Sequence, residues 1–250
     1  MADEQIVRGS RVKGVVDLVF VIDATGSMAP CIDAVKRNIQ GFMATIGTSG
    51  EGANANSGGR VIDWRVRVVG YRDAVCDDEW LIQNPFVRTT EEVHKQLDAL
   101  HAEGGGDEPE SLLEAIYAVA TLAETDRGAA EDPMRWRHRR QAARIVVVLT
   151  DASFHPEMSG GVADGGAVTD VQNAVLNARI YLRGFVPDMD CYVDLESIDR
   201  ADLQRIRFDE KHKGGAALAL EEWSRDQASF TRVMDALAKS ISQTAEVAVL

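Results

Sequence analysis

Apolar positions along the chain follow two alternating rhythms. Val15 to Ile22 is a nearly continuous β-branched run, and Ile145 to Leu149 is another; both predict strands buried on two faces of a parallel sheet. Between them, from Ala29 onward, Ile32, Val35, Ile39, Phe42, Met43 and Ile46 recur at steps of three and four, the stripe of an amphipathic helix. Val61 to Gly70 alternates Ile62, Trp64, Val66 and Val68 with Asp63, Arg65 and Arg67, which predicts a strand with one face less buried. Leu81 to Val87 fits a short strand, and Pro85 places it at an edge because proline has no N–H for the ladder. Thr90 with Val93, Leu97 and Leu100 reads as a capped helix, and Leu112, Leu113, Ile116, Val119, Ala120 and Ala123 as another.

In the second half, Asp170 to Ala178 reads as a helix and Arg179 to Val186 as a strand with Ile180 and Leu182 on one side. The spacing of Cys191, Leu195 and Ile198 suggests a helix, Ala216 to Leu220 a weak strand, and Gln227 to Ile241 a final helix. The Gly- and Ser-rich stretches Gly47 to Gly59 and 159 to 166 are expected to be surface loops. The basic interval Glu124 to Ala143, with Arg127, Arg135, Arg137, Arg139 and Arg140 around Trp136 and His138, reads as a solvated connection, with a docking patch as the alternative. Alternating strands and helices predict an α/β fold, an open and mostly parallel sheet covered on both faces, with ligands beyond the carboxyl ends of its strands.

At 250 residues the chain suffices for one sizeable domain; its bounds are placed at 12–242, with short tails at 1–11 and 243–250. The net charge of −13 disfavours a general nucleic-acid binder, which needs a basic surface. Cys31, Cys76 and Cys191 are odd in number and far apart, so no disulfide framework is indicated and a reducing, cytoplasmic setting fits. No signal-like segment follows the acidic first residues, and no apolar run approaches the roughly 20 residues of a membrane helix.

Both of the strongest strands end in an acid. Asp23-Ala24-Thr25-Gly26-Ser27-Met28 closes the first, and Thr150-Asp151-Ala152-Ser153 the other. If the strands are neighbours, the carboxylates repel one another unless a cation or a proton separates them. Asp23, Thr25 and Ser27 stand two residues apart around Gly26, so one turn can aim a carboxylate and two hydroxyls at one point. An all-oxygen set suits Mg²⁺, with Mn²⁺ or Ca²⁺ as alternatives, and argues against zinc. The segment Gly104-Gly105-Gly106-Asp107-Glu108-Pro109-Glu110 precedes a helix; Asp107 would cap that helix, join the metal site, or do both.

At these residues the chain resembles the von Willebrand factor A family, whose metal-ion-dependent adhesion site reads Asp-x-Ser/Thr-x-Ser, then a loop Thr or Asp, then a strand-end Asp. The matching positions are Asp23, Thr25, Ser27, Asp107 and Asp151. The Thr-Gly-Ser-Met turn, the segment Tyr71-Arg72-Asp73 and the Gly-Gly-Asp loop are most similar to bacterial-type and kinase-associated members. The resemblance implies a Rossmann-like sheet of six strands with one antiparallel edge. It also implies direct coordination by Ser27, commonly with Thr25, and action of Asp23 and Asp151 directly or through water. Adhesive members bridge to a partner's Glu or Asp through the ion, so the implied activity is protein binding rather than catalysis, within a kinase, phosphatase or ATPase system. Asp107 stands where adhesive members carry Thr; three ionised carboxylates around one divalent ion leave a net negative charge that weakens attraction for an acidic partner. Asp107 is accordingly expected to bond a water on the ion or to rotate away when a partner arrives.

Asp73 and His155 are candidates for the rim of the site, against ordinary roles as a turn acid and a surface histidine, with Tyr71 and Arg72 bracing Asp73. Met28 reads as packing and Cys31 as an unreactive thiol. Two alternatives compete: a magnesium-dependent phosphatase of haloacid-dehalogenase type, which needs a second acid where Thr25 stands, and a metal-free scaffold, which leaves Asp23 and Asp151 needlessly close. Neither a P-loop nor a dinucleotide fingerprint follows a strand.

Overall fold

The run from Val15 to Ile22 has no polar face because it has no solvent face: Leu18, Phe20 and Ile22 enter one apolar layer, and Val19 and Val21 the other. The computed structural model describes residues 14–50 and 62–226. Six strands form one sheet: β1 (Gly14–Asp23), β2 (Ile62–Tyr71), β3 (Leu81–Gln83), β4 (Ala143–Leu149), β5 (Ile180–Pro187) and β6 (Ala201–Ile206). Their order is β3-β2-β1-β4-β5-β6, parallel throughout except for the β2–β3 pair. Helices α1 (Ile32–Gly50), α2 (Thr90–Asp98) and α6 (Gly215–Arg225) cover one face; α3 (Leu112–Ala120), α4 (Val168–Asn177) and α5 (Tyr192–Glu196) cover the other. The predicted α/β architecture with one antiparallel edge strand is the observed one.

Several expectations change. Helix α1 continues to Gly50, past the start expected for the loop at Gly47; residues 51–59 of that loop, the side chain of Ile46 and the helix expected at 227–241 lie outside what is described. Helix α2 is capped by Thr89, whose hydroxyl accepts from Glu92 N at 3.2 Å, not by Thr90. Ala216 to Leu220 belongs to α6 and is no strand, in keeping with the high helix propensity of Ala and Leu. The sixth strand is Ala201–Ile206, whose charges Asp202 and Arg205 sit on a sheet edge, where they discourage further pairing. Pro85 does break the edge. Next to it the side chain of Gln96 accepts from Val68 N at 2.9 Å, and Asn84 donates to Val68 O at 3.0 Å, taking the place of ladder bonds.

The two arginines of β2 do not face water as the alternation implied. Arg65 and Arg67 are both buried. Asp17 of β1, itself inaccessible, accepts from Arg65 Nε at 3.0 Å and Nη2 at 2.7 Å, and from Arg137 Nε at 2.7 Å and backbone N at 2.8 Å. Arg67 lies beneath Phe86 and donates to Gln83 Oε1 at 2.6 Å. The interval 124–143 is therefore more than a solvated connection. Arg127, Arg135, Arg139 and Arg140 are exposed, but Trp136 and Arg137 are buried, and the Trp136 indole donates to Val119 O at 2.9 Å.

Candidate functional site

In the parallel register Ile22 of β1 pairs with Leu149 of β4, so both chains leave the sheet side by side. From β1 the chain crosses to β2 on one side, while β4 lies on the other; this is the topological switch point where open α/β sheets place ligands. Asp23 is the last residue of β1, and Asp151 follows β4 by two residues.

A run of close oxygen contacts joins the two acids. Asp23 Oδ1 accepts from Thr25 N at 2.9 Å and Thr25 Oγ1 at 2.7 Å; Thr25 Oγ1 lies 3.0 Å from Ser27 Oγ, and Ser27 Oγ donates to Asp151 Oδ1 at 3.0 Å. The second oxygen of Asp23 accepts from Thr150 Oγ1 at 2.7 Å and, more weakly, from the Tyr71 hydroxyl at 3.4 Å. Asp23, Thr25 and Asp151 are buried, while Ser27 is exposed and gives the group its opening to solvent. Among the described residues no Lys or Arg bonds to either carboxyl. Burial raises the Asp23 carboxyl against the pull of its hydroxyl donors, and burial followed by the charge of Asp23 pushes Asp151 up to about 7. Two carboxyls and two hydroxyls, all oxygen and uncompensated by any base, form a donor set that fits a hard divalent cation. Among the described residues no group of three or more His, Cys, Asp and Glu suited to a metal occurs; half of this donor set is hydroxyl.

Met28 is buried in the core as expected, and burial also raises the Cys31 thiol well above its usual range.

The glycine loop closes over this turn. Gly26 N donates to Gly104 O at 3.0 Å, Glu103 N to Ala24 O at 2.9 Å, and Gly105 N to Asp77 Oδ2 at 2.8 Å. Gly105 has φ +90°, and a Cβ there would stand 2.6 Å from Thr25 Cβ and 2.8 Å from Glu110 Oε1. Gly105→Ala is therefore expected to cost more than about 2 kcal/mol in urea unfolding, through backbone strain and collision together; unfolding at wild-type denaturant would contradict the close approach.

Asp107 takes no part in these hydrogen bonds. It is exposed, and among the described residues no hydrogen bond or ion pair links it to Asp23, Thr25, Ser27 or Asp151. Nor does it cap α3, whose N-cap is Ser111. The buried acid of this loop is Glu110, which sequence reasoning passed over. Burial, followed by the charges of Asp23, Asp73, Asp151 and Asp77, pushes its carboxyl up to about 9. Thr150 and Tyr71, which orient Asp23, were also missed as site residues, since a strand-end Thr and a strand Tyr read as ordinary sheet residues. The rim pair is brought together: Asp73 Oδ1 meets His155 Nε2 at 3.1 Å and accepts from Ser111 Oγ at 3.1 Å. Tyr71 and Arg72 do not brace Asp73, because Tyr71 turns to Asp23 and Arg72 pairs with Glu103 at 2.6 Å.

Comparison with known proteins agrees with the fold. The model of the von Willebrand factor type A domain matches residues 17–221. The alpha-protein kinase vwkA of Dictyostelium discoideum is 24% identical over 149 residues, covering 60% of this chain but only 20% of the kinase. Proximal thread matrix protein 1 of the mussel byssus superposes with a TM-score of 0.51 at 13% identity, over 86% of this chain and 48% of that one. The pilus adhesin SpaC of Lactobacillus rhamnosus GG, in its open conformation, does so with a TM-score of 0.51 at 14% identity, over 94% of this chain and 31% of the adhesin. Identities this low speak for fold alone. The strand order and a family match that spans most of the sequence lead to one conclusion: the chain belongs to the von Willebrand factor type A domain family.

Proposed function

We propose that the chain is a metal-dependent protein-interaction module, in which Ser27, Thr25, Asp23 and Asp151 hold a Mg²⁺ ion at the carboxyl edge of the sheet and a partner protein docks over it. The observation that carries this reading is the uncompensated pair of buried carboxyls joined through Thr25 and Ser27. Burying such charges is unfavourable without a counter-charge, and a divalent ion supplies one. Mn²⁺ and Ca²⁺ share the oxygen preference and are the alternatives. The reading is one of binding, with no bond made or broken.

Exposure of Ser27, in contrast to the burial of Asp23, supports a partner arriving from the Ser27 side. The three cysteines Cys31, Cys76 and Cys191 are unpaired, which supports a reducing, cytoplasmic setting. The likeness to part of a protein kinase supports a partner within a kinase system.

Thermal unfolding with and without ion tests the reading. Mg²⁺ at about a hundred times its Kd should stabilise the fold by about 2.7 kcal/mol, because only the folded site binds it. Asp151→Ala should abolish that gain. An unchanged melting temperature for the wild type at millimolar Mg²⁺, Mn²⁺ and Ca²⁺ would refute the cation site. Capture of partners from lysate should then be lost with chelator and with Asp23→Ala.

A further inference from the structure

The amino edge of the sheet, opposite the paired acids, carries a cleft of its own between α3 and α4. Arg144, at the start of β4, and Ala178, just ahead of β5, place it at that edge. Its volume is about 410 Å³, within the range of ligand sites. Ala120, Ala174 and Ala178 line it with short side chains that leave room for a chain to enter. Tyr117 of α3 and Asn173 and Asn177 of α4 also line it, and their side chains have no hydrogen-bond partner among the described residues. Arg144 is 3% exposed. It donates from Nη1 to Ala178 O at 3.2 Å and from Nη2 to Arg137 O at 2.7 Å and to Glu124, while its Nε is buried without an acceptor. Arg139 donates from Nε to Glu124 and from Nη1 to Asn177 O, each at 3.2 Å, and its Nη2 makes no hydrogen bond among the described residues. Arg140 and Arg179, each next in sequence to a residue lining the cleft, are exposed and form no ion pair among the described residues.

A buried donor left unpaired persists where something absent from the bare protein accepts from it. Surplus donors call for acceptors. Arg139, Arg140, Arg144 and Arg179 against Glu124 and Asp170 make the neighbourhood locally positive, on a chain whose net charge is −13, so the complementary ligand is acidic. The asparagines fix its form. One helical turn separates them, about 6 Å along the axis, and groups two residues apart in an extended chain repeat at about 6.6 Å. A side-chain amide carries both donor and acceptor, so each asparagine can pair with the N–H and C=O of one residue. We infer that the α3–α4 cleft binds an extended peptide segment of a partner protein. Its backbone pairs with Asn173 and Asn177, the Tyr117 hydroxyl bonds it from the other wall, and an acidic side chain at one end meets Arg139 and Arg144. This face is independent of the ion and lies at the opposite edge of the sheet.

Selection of a displayed library of random dodecapeptides on the full chain tests it, with chelator present so that no ion bridges a peptide to the opposite edge. Recovered sequences should carry Asp or Glu beside a run of small residues, and synthetic copies should bind wild type and Asp151→Ala alike. Asn173→Ala combined with Asn177→Ala places a favourable helix former at two exposed positions of α4. That variant should keep the wild-type melting temperature and bind the copies about tenfold more weakly or worse, the effect of losing two or more hydrogen bonds. Tyr117→Phe, which keeps the ring and removes one hydroxyl, should cost about threefold and reads the same contrast from the other helix. Copies N-methylated at alternate residues should lose binding in one register and keep it in the other, because an extended chain offers one edge to the asparagines. No enrichment over a selection without the protein, equal binding by the folded asparagine and tyrosine variants, or indifference to methylation in both registers would each overturn the inference.

Discussion

Asp17→Ala should lower the unfolding free energy by about 3–5 kcal/mol, the range for stripping one partner from a buried ion pair. Asp17 is inaccessible, and its two oxygens accept four hydrogen bonds from Arg65 and Arg137, which are 2% and 4% exposed. Removing the carboxylate leaves two guanidinium groups buried. Asp63 and Glu131 still reach Arg137 Nη1 at 3.2 and 3.6 Å, but both are more than a third exposed and cannot replace it in the interior. Arg88→Ala provides the contrast. Its pairs with Asp63 and Glu131 are short, at 2.6 Å, yet all three side chains are solvated, so a loss under about 1 kcal/mol is expected. Urea unfolding of both variants decides the matter, and a loss below 1 kcal/mol for Asp17→Ala would show that the buried cluster holds nothing in place.

The second large effect is a dependence of ion binding on pH. Burial and Asp23 raise the Asp151 carboxyl from an ordinary 3.8 to about 7 in the metal-free protein. A folded-state value above the unfolded one means that the native state binds the proton more tightly. The associated stability is complete in acid and is lost as pH rises through about 7. Asp63 and Glu124 are shifted downward by their arginine neighbours, so their contributions vanish only on the acid side of 4.5; Asp23, Glu110 and Glu114 are raised by burial like Asp151 and act in the same direction as it does. The metal-free melting temperature should therefore fall between pH 5 and pH 8. Mg²⁺ competes with that proton. Its affinity should weaken about tenfold for each pH unit below 7, and the stability lost at pH 8 should return when the ion is added. Calorimetric titration at pH 5.5, 6.5 and 8 measures the slope; a flat profile would mean that Asp151 is not among the ion's ligands.

The chain's own pattern determined most of the fold and the central pair of acids. Continuous β-branched runs point to strands covered on both faces, so β1 and β4 were legible as buried parallel strands whose terminal acids converge once the two are neighbours, as they are. Period and propensity are local properties, and they sufficed there. They could not tell a buried charge from a solvated one. Arg65 and Arg67 alternate like surface residues, and only the placement of Asp17, Arg137 and Phe86 against them made burial tolerable. The same limit applied to the glycine loop. Three acids at Asp107, Glu108 and Glu110 are chemically alike in sequence, and which of them turns inward depends on where the backbone of residues 153–155 pins the loop. That pairing spans some forty residues of chain, and tertiary structure alone sets it.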